Sequence, residues 1–229
     1  MPGGIYVSDG MLYDDSNGSR RLVLDLTGLA RLPGHHNWQN AAAAYAACKT
    51  AGLAPEAIAA GLTSFPGLPH RQELLTVIDG IAFINDSKAT NPDAAAKALA
   101  CYKRIYWIAG GQAKDKDFTA LLPHLHHVAR GFLIGEAKSL LADALAGRVE
   151  TRCCDGLSAA VSQAHEDAKA AIAESPRPTP VVLLSPACAS FDSYRNFEVR
   201  GDAFRDLVAA LPGGRGRPEL LSDLLEGVS

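Results

Sequence analysis

From residue 73 onward the chain repeats one alternation. Short apolar runs at 81–84, 104–109, 131–134 and 181–184 are separated by helical segments at about 93–101, 136–146, 157–173 and 197–211. Runs this apolar fit strands buried on both faces, and the intervening segments are long enough to be crossover helices. The pattern dictates an α/β fold class: a Rossmann-like, mainly parallel sheet covered on both sides. A strand at 73–78 opens the domain and turns through Asp79-Gly80 into 81–84, and a shorter strand lies near 149–152. Ligands of such sheets collect where the parallel strands end. The loops after Ile84, Ala109 and Leu184 therefore carry the functional weight.

The first 65 residues read differently. Strands at 4–7, 11–13 and 21–26 are separated by the turn formers Asp9-Gly10 and Asp15-Ser16-Asn17-Gly18. An alanine-rich helix over 37–50 ends at Gly52, and Pro55 suits the first turn of a second helix. The stiff run Phe65-Pro66-Gly67-Leu68-Pro69 breaks both periods and sets a domain boundary, giving domains at 1–65 and 66–229. The tail, beginning with Gly213-Gly214-Arg215-Gly216, reads as mobile, and there is no internal repeat.

Composition excludes several classes of partner. A net charge of -3 gives no broad attraction for nucleic acid or an anionic membrane. No apolar stretch approaches the roughly 18 residues of a membrane span, and no targeting segment opens the chain. Cys48, Cys101, Cys153, Cys154 and Cys188 are odd in number and show no CxxC spacing, which argues against a disulfide framework or zinc and for a reducing cytoplasm. His124-x-His126-His127 is read as a helix surface rather than a metal site, and Cys153-Cys154 as a half-buried pair in a strand. Cys188 is read as a small packing residue.

The three loops run Asn85-Asp86-Ser87-Lys88-Ala89-Thr90-Asn91, Gly110-Gly111-Gln112-Ala113-Lys114-Asp115-Lys116-Asp117-Phe118, and Ser185-Pro186-Ala187-Cys188-Ala189-Ser190-Phe191. Small and hydroxyl residues promise exposed backbone N–H groups, and two loops add lysines, which together suit a carboxylate or phosphate. The plainer reading is a set of turns that cap the following helices. Three such loops on one sheet edge weigh against it.

Together with His36-Asn37-Trp38-Gln39-Asn40-Ala41-Ala42, Gly67-Leu68-Pro69-His70-Arg71 and Asn196-Phe197-Glu198 with Arg200-Gly201, these loops resemble, in order, the motif series of the Mur ligases. The match spans about residues 34 to 210, and its spelling is nearest the D-glutamate-adding branch. The resemblance implies a domain 66–229 that binds D-glutamate, preceded by 1–65 as an incomplete remnant of the central ATPase domain. It implies ATP contacts at Asn37, Asn40, Arg71 and Asp86, and D-glutamate contacts at Lys88, Thr90, Lys114, Ser190, Phe191 and Phe197. Such ligases use ATP and Mg2+ to activate a carboxylate as an acyl phosphate, which the amine of the incoming amino acid attacks. The implied partners are D-glutamate, ATP and UDP-MurNAc-L-Ala, the last reached through domains outside this chain, in a cytoplasmic monomer.

The chain departs from the series in three places. Gln112-Ala113 precedes Lys114 where the family often has Asp-Gly or Lys-Pro, so Lys116 is a possible substitute, and Phe191 is bulkier than the frequent leucine. No G-x-x-x-x-G-K-[ST] occurs, so the phosphate cradle of an ATPase is lacking, and the principal metal ligands are assigned upstream. No catalytic or metal-binding residue is assigned within the chain, which by itself is expected to be inactive. Residues 1–65, without their sheet partners, are expected to leave apolar faces exposed or mispaired. Two other readings stay open: a non-catalytic Rossmann-like module for an amino acid or nucleotide, and another Mur or folylpolyglutamate-type ligase.

Overall fold

The structure, a computed structural model, describes residues 3–29 and 31–216, and these form two compact units that divide between Gly67 and Leu68. In the first unit β1 (Ile5–Ser8), β2 (Met11–Asp14) and β3 (Arg21–Asp25) make an antiparallel sheet in that order. Asp9 and Gly10, at φ 51° and 75°, both adopt the left-handed backbone that lets a two-residue turn follow strand twist. Two helices follow, α1 (His35–Thr50) and α2 (Pro55–Ser64). Trp38, Ala41, Ala42 and Tyr45 recur at helical spacing and bury against Leu12, Leu26 and Ile58.

The first unit thus closes a core of its own, so its strands are not mispaired, while the expected exposure of apolar surface is found at Tyr6, Leu22, Leu53 and Phe65. β2 is paired on both sides, by β1 and β3, and α1 covers the apolar face they share. A single polar knot sits at the rim of this core. Asp14 accepts hydrogen bonds from Tyr45 Oη at 3.0 Å, Ser16 Oγ at 2.6 Å and the Lys49 ammonium. Burial alone would raise the Asp14 carboxyl, but the donors, Lys49 foremost, outweigh it and hold the group well below the usual range.

The second unit adds, in chain order, β4 (Glu73–Ile78), β5 (Ile81–Asn85), α3 (Pro92–Leu99), β6 (Ile105–Gly110), a 3-10 helix (Thr119–His127), β7 (Val128–Ile134), α4 (Lys138–Leu145), β8 (Thr151–Cys153), α5 (Leu157–Glu174), β9 (Val181–Leu184), α6 (Phe197–Ala210) and β10 (Arg215–Gly216). The sheet order is β10-β4-β5-β9-β6-β7-β8, parallel from β5 to β8 and antiparallel at β4 and β10. Alternate residues of each central strand face opposite layers. Tyr106, Ile108, Phe132, Val182 and Leu184 pack with α5 and α6, while Ile105, Trp107, Leu133 and Leu183 point the other way and are equally buried. Each fully buried side chain of this size contributes about 2 kcal/mol. This is the α/β, mainly parallel sheet that the alternation of runs requires.

Two local readings change and a third holds. The tail at Gly213–Gly216 was expected to be mobile, yet Arg215 and Gly216 pair with Ile78 and Val77, and Gly214 N–H donates to Asp79 Oδ1 at 2.8 Å. Residues beyond 216 lie outside the described residues. The segment with His124, His126 and His127 is a helix surface as expected, its helix a 3-10 one that runs through Pro123 and is anchored by Leu121 and Leu125. Cys153 is exposed at the end of β8 and only Cys154, one residue on, is buried. Among the described residues no helix is long and apolar enough to cross a membrane, and no group of three His, Cys, Asp or Glu side chains converges as a metal site.

Candidate substrate-binding site at the carboxyl edge of the sheet

β9, the last of the parallel strands in chain order, lies between β5 and β6, so the loops after β5, β9 and β6 leave from three adjacent strand ends. Asp86 N–H donates to Leu184 O at 2.7 Å, and Gly110 N–H donates to Pro186 O at 2.8 Å. Gln112 and Ala189 exchange both backbone bonds, at 2.8 and 2.9 Å. The Lys114 loop and the Ser190 loop are thereby stitched together through main chain, and the departure at Gln112 leaves that stitch intact because its side chain is not needed for it. Trp107 Nε1–H donates to Ser185 O at 2.8 Å and fixes the third loop from beneath.

The glycine pair is required by contact rather than by an anion. A Cβ on Gly110 would lie 2.0 Å from Ile134 O, and one on Gly111 2.2 Å from Ala189 O, with φ at 120° and 127°. Gly111 N–H is also taken, by Ile134 O. The first loop likewise spends its donors internally. The N–H groups of Asp86, Ser87, Lys88, Ala89 and Thr90 bond to Leu184 O, Asn85 Oδ1, His70 O, Asp86 O and Lys88 O. The exposed backbone donors expected from the small residues are therefore not found at these positions. At these positions anion binding falls to side chains.

Those side chains are placed as follows. Lys88 is exposed, and its ammonium stands 4.2 Å from the centre of the Phe197 ring, a cation–π contact that limits where the charge can swing. Phe197 opens α6, whose first turn is capped by Asn196 Oδ1 accepting from Val199 N–H at 2.9 Å. Thr90 is half-buried beside Asn91, which caps α3 through Ala94 N–H at 2.8 Å. Ser190 is buried, whereas Phe191 next to it is 62% exposed, a large apolar surface at the rim of the loop. Lys114 and Lys116 are both exposed, and Asp117 anchors their loop by accepting from Thr119 N–H at 2.8 Å.

The residues assigned to nucleotide contacts divide between the units. Asn37 and Asn40 stand in the opening turns of α1 in the first unit; Asn37 Nδ2 donates to Pro33 O at 2.7 Å and Asn40 is exposed. Arg71 and Asp86 belong to the second. Arg71 is exposed, while Asp86 is 5% exposed and has both oxygens engaged, accepting from Ser185 Oγ at 2.8 Å and Gln72 N–H at 3.1 Å. Burial raises its carboxyl to about 7, against the lowering effects of Ser185, Gln72 and the Arg71 charge. A ribose hydroxyl would have to share oxygens already used to hold the loops, so the fit to a nucleotide is tighter at Arg71 than at Asp86.

Several residues without an assigned role prove central. His70, in a left-handed backbone at φ 61°, accepts the Lys88 N–H and shares a 3.1 Å hydrogen bond between its Nδ1 and Asn85 Nδ2. Asn85 Nδ2 also donates to Gly201 O at 3.0 Å. A Cβ on Gly201 would lie 2.2 Å from His70 Nδ1, which explains a glycine inside a helix here. Arg200 lies behind the loops with its guanidinium on Ser87 and Cys188. An Arg-Gly pair one turn into a predicted helix was visible in the sequence, but its partners were not. Cys188 is fully buried and its thiol is pushed up to about 11, as suits packing rather than nucleophilic chemistry. A cavity of about 40 Å³ beneath Gly110, Gly111, Gly135, Asp192 and Arg200 has room for about two or three waters.

Fold and loops together define a small-molecule-binding α/β domain of the kind found in amide-forming ligases. The family described as "Mur ligase, glutamate ligase domain" matches residues 70–188, just over half of the chain. The chain therefore belongs to the Mur ligase family. It is 52% identical over 221 residues to the UDP-N-acetylmuramoylalanine--D-glutamate ligase of Rhodospirillum rubrum, covering 93% of this chain and 46% of that protein. The ligase of the same name from Paramagnetospirillum magneticum is 48% identical, with 92% and 44% covered. The chain thus spans about half the length of the curated relatives it matches. Among solved structures, Mycobacterium tuberculosis folylpolyglutamate synthase complexed with ADP superposes with a TM-score of 0.60 at 17% identity, over 92% of this chain and 47% of that one. Thermotoga maritima UDP-N-acetylmuramate-alanine ligase MurC gives 0.56 at 17%, over 90% and 45%. Both likenesses speak to the fold.

Proposed function

We propose that this chain supplies the D-glutamate-binding part, and a share of the ATP-binding part, of a UDP-N-acetylmuramoylalanine--D-glutamate ligase. The observation that carries the reading is the set of side chains at three neighbouring strand ends: Lys88 steadied on Phe197, Lys114 on the stitched loop, and buried Ser190 beside exposed Phe191. Two ammonium groups suit the two carboxylates of glutamate, and hydroxyl donors orient the molecule so that its amine faces the acceptor. Thr90, half-buried near Lys88, belongs to the same set.

In this reading 66–229 is the glutamate domain and 1–65 a portion of the ATPase domain. Asn37 and Asn40 serve the adenine, Arg71 the nucleotide and Asp86 the ribose. ATP with Mg2+ supplies the phosphoryl group that activates the acceptor carboxylate, and UDP-MurNAc-L-Ala is bound by other parts of the protein. The work of this chain's own residues is to bind and aim the amine. The setting is cytoplasmic and the whole protein monomeric.

Calorimetry with D-glutamate tests the site. The unaltered chain should bind weakly and saturably, and Lys114→Ala should weaken binding by at least about tenfold through loss of a charge-assisted contact. Unchanged affinity in that variant sinks the assignment.

A further inference from the structure

The Asn196-Phe197-Glu198 and Arg200-Gly201 motif has one member whose chemistry the substrate assignment leaves unused. Arg200 is 1% exposed and among the largest fully buried side chains of the protein. Its Nε–H donates to Ser87 Oγ at 3.0 Å, one terminal nitrogen donates to Ser87 O at 2.9 Å, and the other to Cys188 O at 3.1 Å. Every one of these acceptors is a neutral oxygen. Asp192 contributes attraction through space, but among the described residues the guanidinium has no carboxylate at bonding distance.

Burying a guanidinium among neutral acceptors is costly, and a hydrophobic side chain would fill the space at less expense. What the guanidinium provides instead is a rigid planar fork with donors in three directions. Here the fork spans the two substrate loops. Ser87 directly precedes Lys88, and Cys188 lies two residues before Ser190. The helix that carries Arg200 also begins with Phe197, against which Lys88 rests, and Ser87 Oγ donates in turn to Phe197 O at 2.8 Å.

We propose that Arg200 is a positioning residue that locks the Lys88 loop, the Ser190 loop and the start of α6 into one register, so that Lys88, Phe197 and Ser190 present a fixed spacing to the amino acid. It does not touch the substrate. The adjoining Gly201 completes the device: only a residue without a side chain admits His70, whose carbonyl holds the Lys88 N–H. The consequence for the ligand rests on the glutamate-site reading, whereas the clamp itself does not.

Two measurements on the full 229-residue chain separate these layers. Amide hydrogen exchange on Arg200→Met and Arg200→Lys should show faster exchange at Lys88, Ala89 and Ala189, with β6 and β7 amides unchanged. Lysine keeps the charge but cannot reproduce the fork, so it should fall between methionine and the unaltered chain. Calorimetry should then show D-glutamate affinity lowered about tenfold or more in Arg200→Met. In Arg200→Ala, low-millimolar methylguanidinium should restore both loop protection and affinity, a rescue that a general packing role does not give. If Arg200→Met fails to fold, Arg200→Lys and the rescue of Arg200→Ala carry the test. Loop exchange unaltered in Arg200→Lys, or absence of rescue in Arg200→Ala, overturns the clamp. If the unaltered chain binds no D-glutamate, the substrate reading fails while the exchange data still decide the clamp.

Discussion

Among the described residues each unit buries one carboxylate, Asp14 in the first and Asp86 in the second, and the two groups are treated in opposite ways. Asp14, in the first unit, meets the Lys49 ammonium together with Ser16 and Tyr45 and is held far below the usual carboxylate range. Asp86, in the second, meets only a hydroxyl and a backbone N–H at bonding distance and is raised to about 7. Burial pushes both upward; the difference is a formal positive charge within bonding reach. The small unit uses an ion pair to finish a modest core. The larger unit has apolar packing to spare and holds its loops with neutral partners on both Asp86 and Arg200.

The comparison yields opposite pH dependences, which can be read separately because Trp38 lies in the first unit and Trp107 in the second. The largest effect should come from Asp86. Its folded carboxyl keeps its proton to about 7 while the unfolded one releases it near 3.8, so stability falls as pH rises through that window, by on the order of 4 kcal/mol. Asp86→Asn should flatten the dependence of Trp107-reported unfolding between pH 4 and 7. A slope as steep as in the unaltered chain would assign the titration elsewhere.

A smaller effect is expected at Asp14. Its folded value is depressed, so its contribution is present above about pH 4 and is lost as pH falls below that. Asp14→Asn should cost about 2 kcal/mol at neutral pH, at the low end for a broken ion pair because Lys49 is partly exposed. Urea unfolding followed through Trp38 measures it, and a variant as stable as the unaltered chain would remove the ion pair from the account. The smallest effect belongs to Ser185→Ala. Losing the hydroxyl that lowers Asp86 should move its ionisation further upward and cost about 1 kcal/mol. An ionisation of Asp86 that moves downward in carbon-13 NMR would contradict the role given to Ser185.

How much of this was legible in sequence follows the range of each interaction. The alternating runs of 73–211 declared the parallel sheet because strand and helix periods are local. Asp9-Gly10 and Asp79-Gly80 declared their hairpins because both residues of each pair must take positive φ. The motif residues Lys88, Thr90, Lys114, Ser190, Phe191 and Phe197 could be named from their spelling. That their loops leave neighbouring strands depends on β9 returning between β5 and β6, which no local pattern encodes. The Arg200 contacts to Ser87 bridge 113 residues, and the N–H groups of Asp86, Lys88 and Gln112 bond to carbonyls distant in sequence, so both were invisible. The core of the first unit was hidden for the same reason: Leu12 and Leu26 are covered only once α1 lies across the strands, while Leu22 stays exposed.

The most direct test of the account is a titration of the isotopically labelled chain with D-glutamate, with L-glutamate in parallel, followed by amide and lysine side-chain NMR. Saturable shifts confined to Lys88–Thr90, Lys114 and Ser190–Phe197, stronger for the D isomer and lost in Lys114→Ala, are the predicted result. Shifts scattered over the surface, or equal and unsaturable for both isomers, would contradict it.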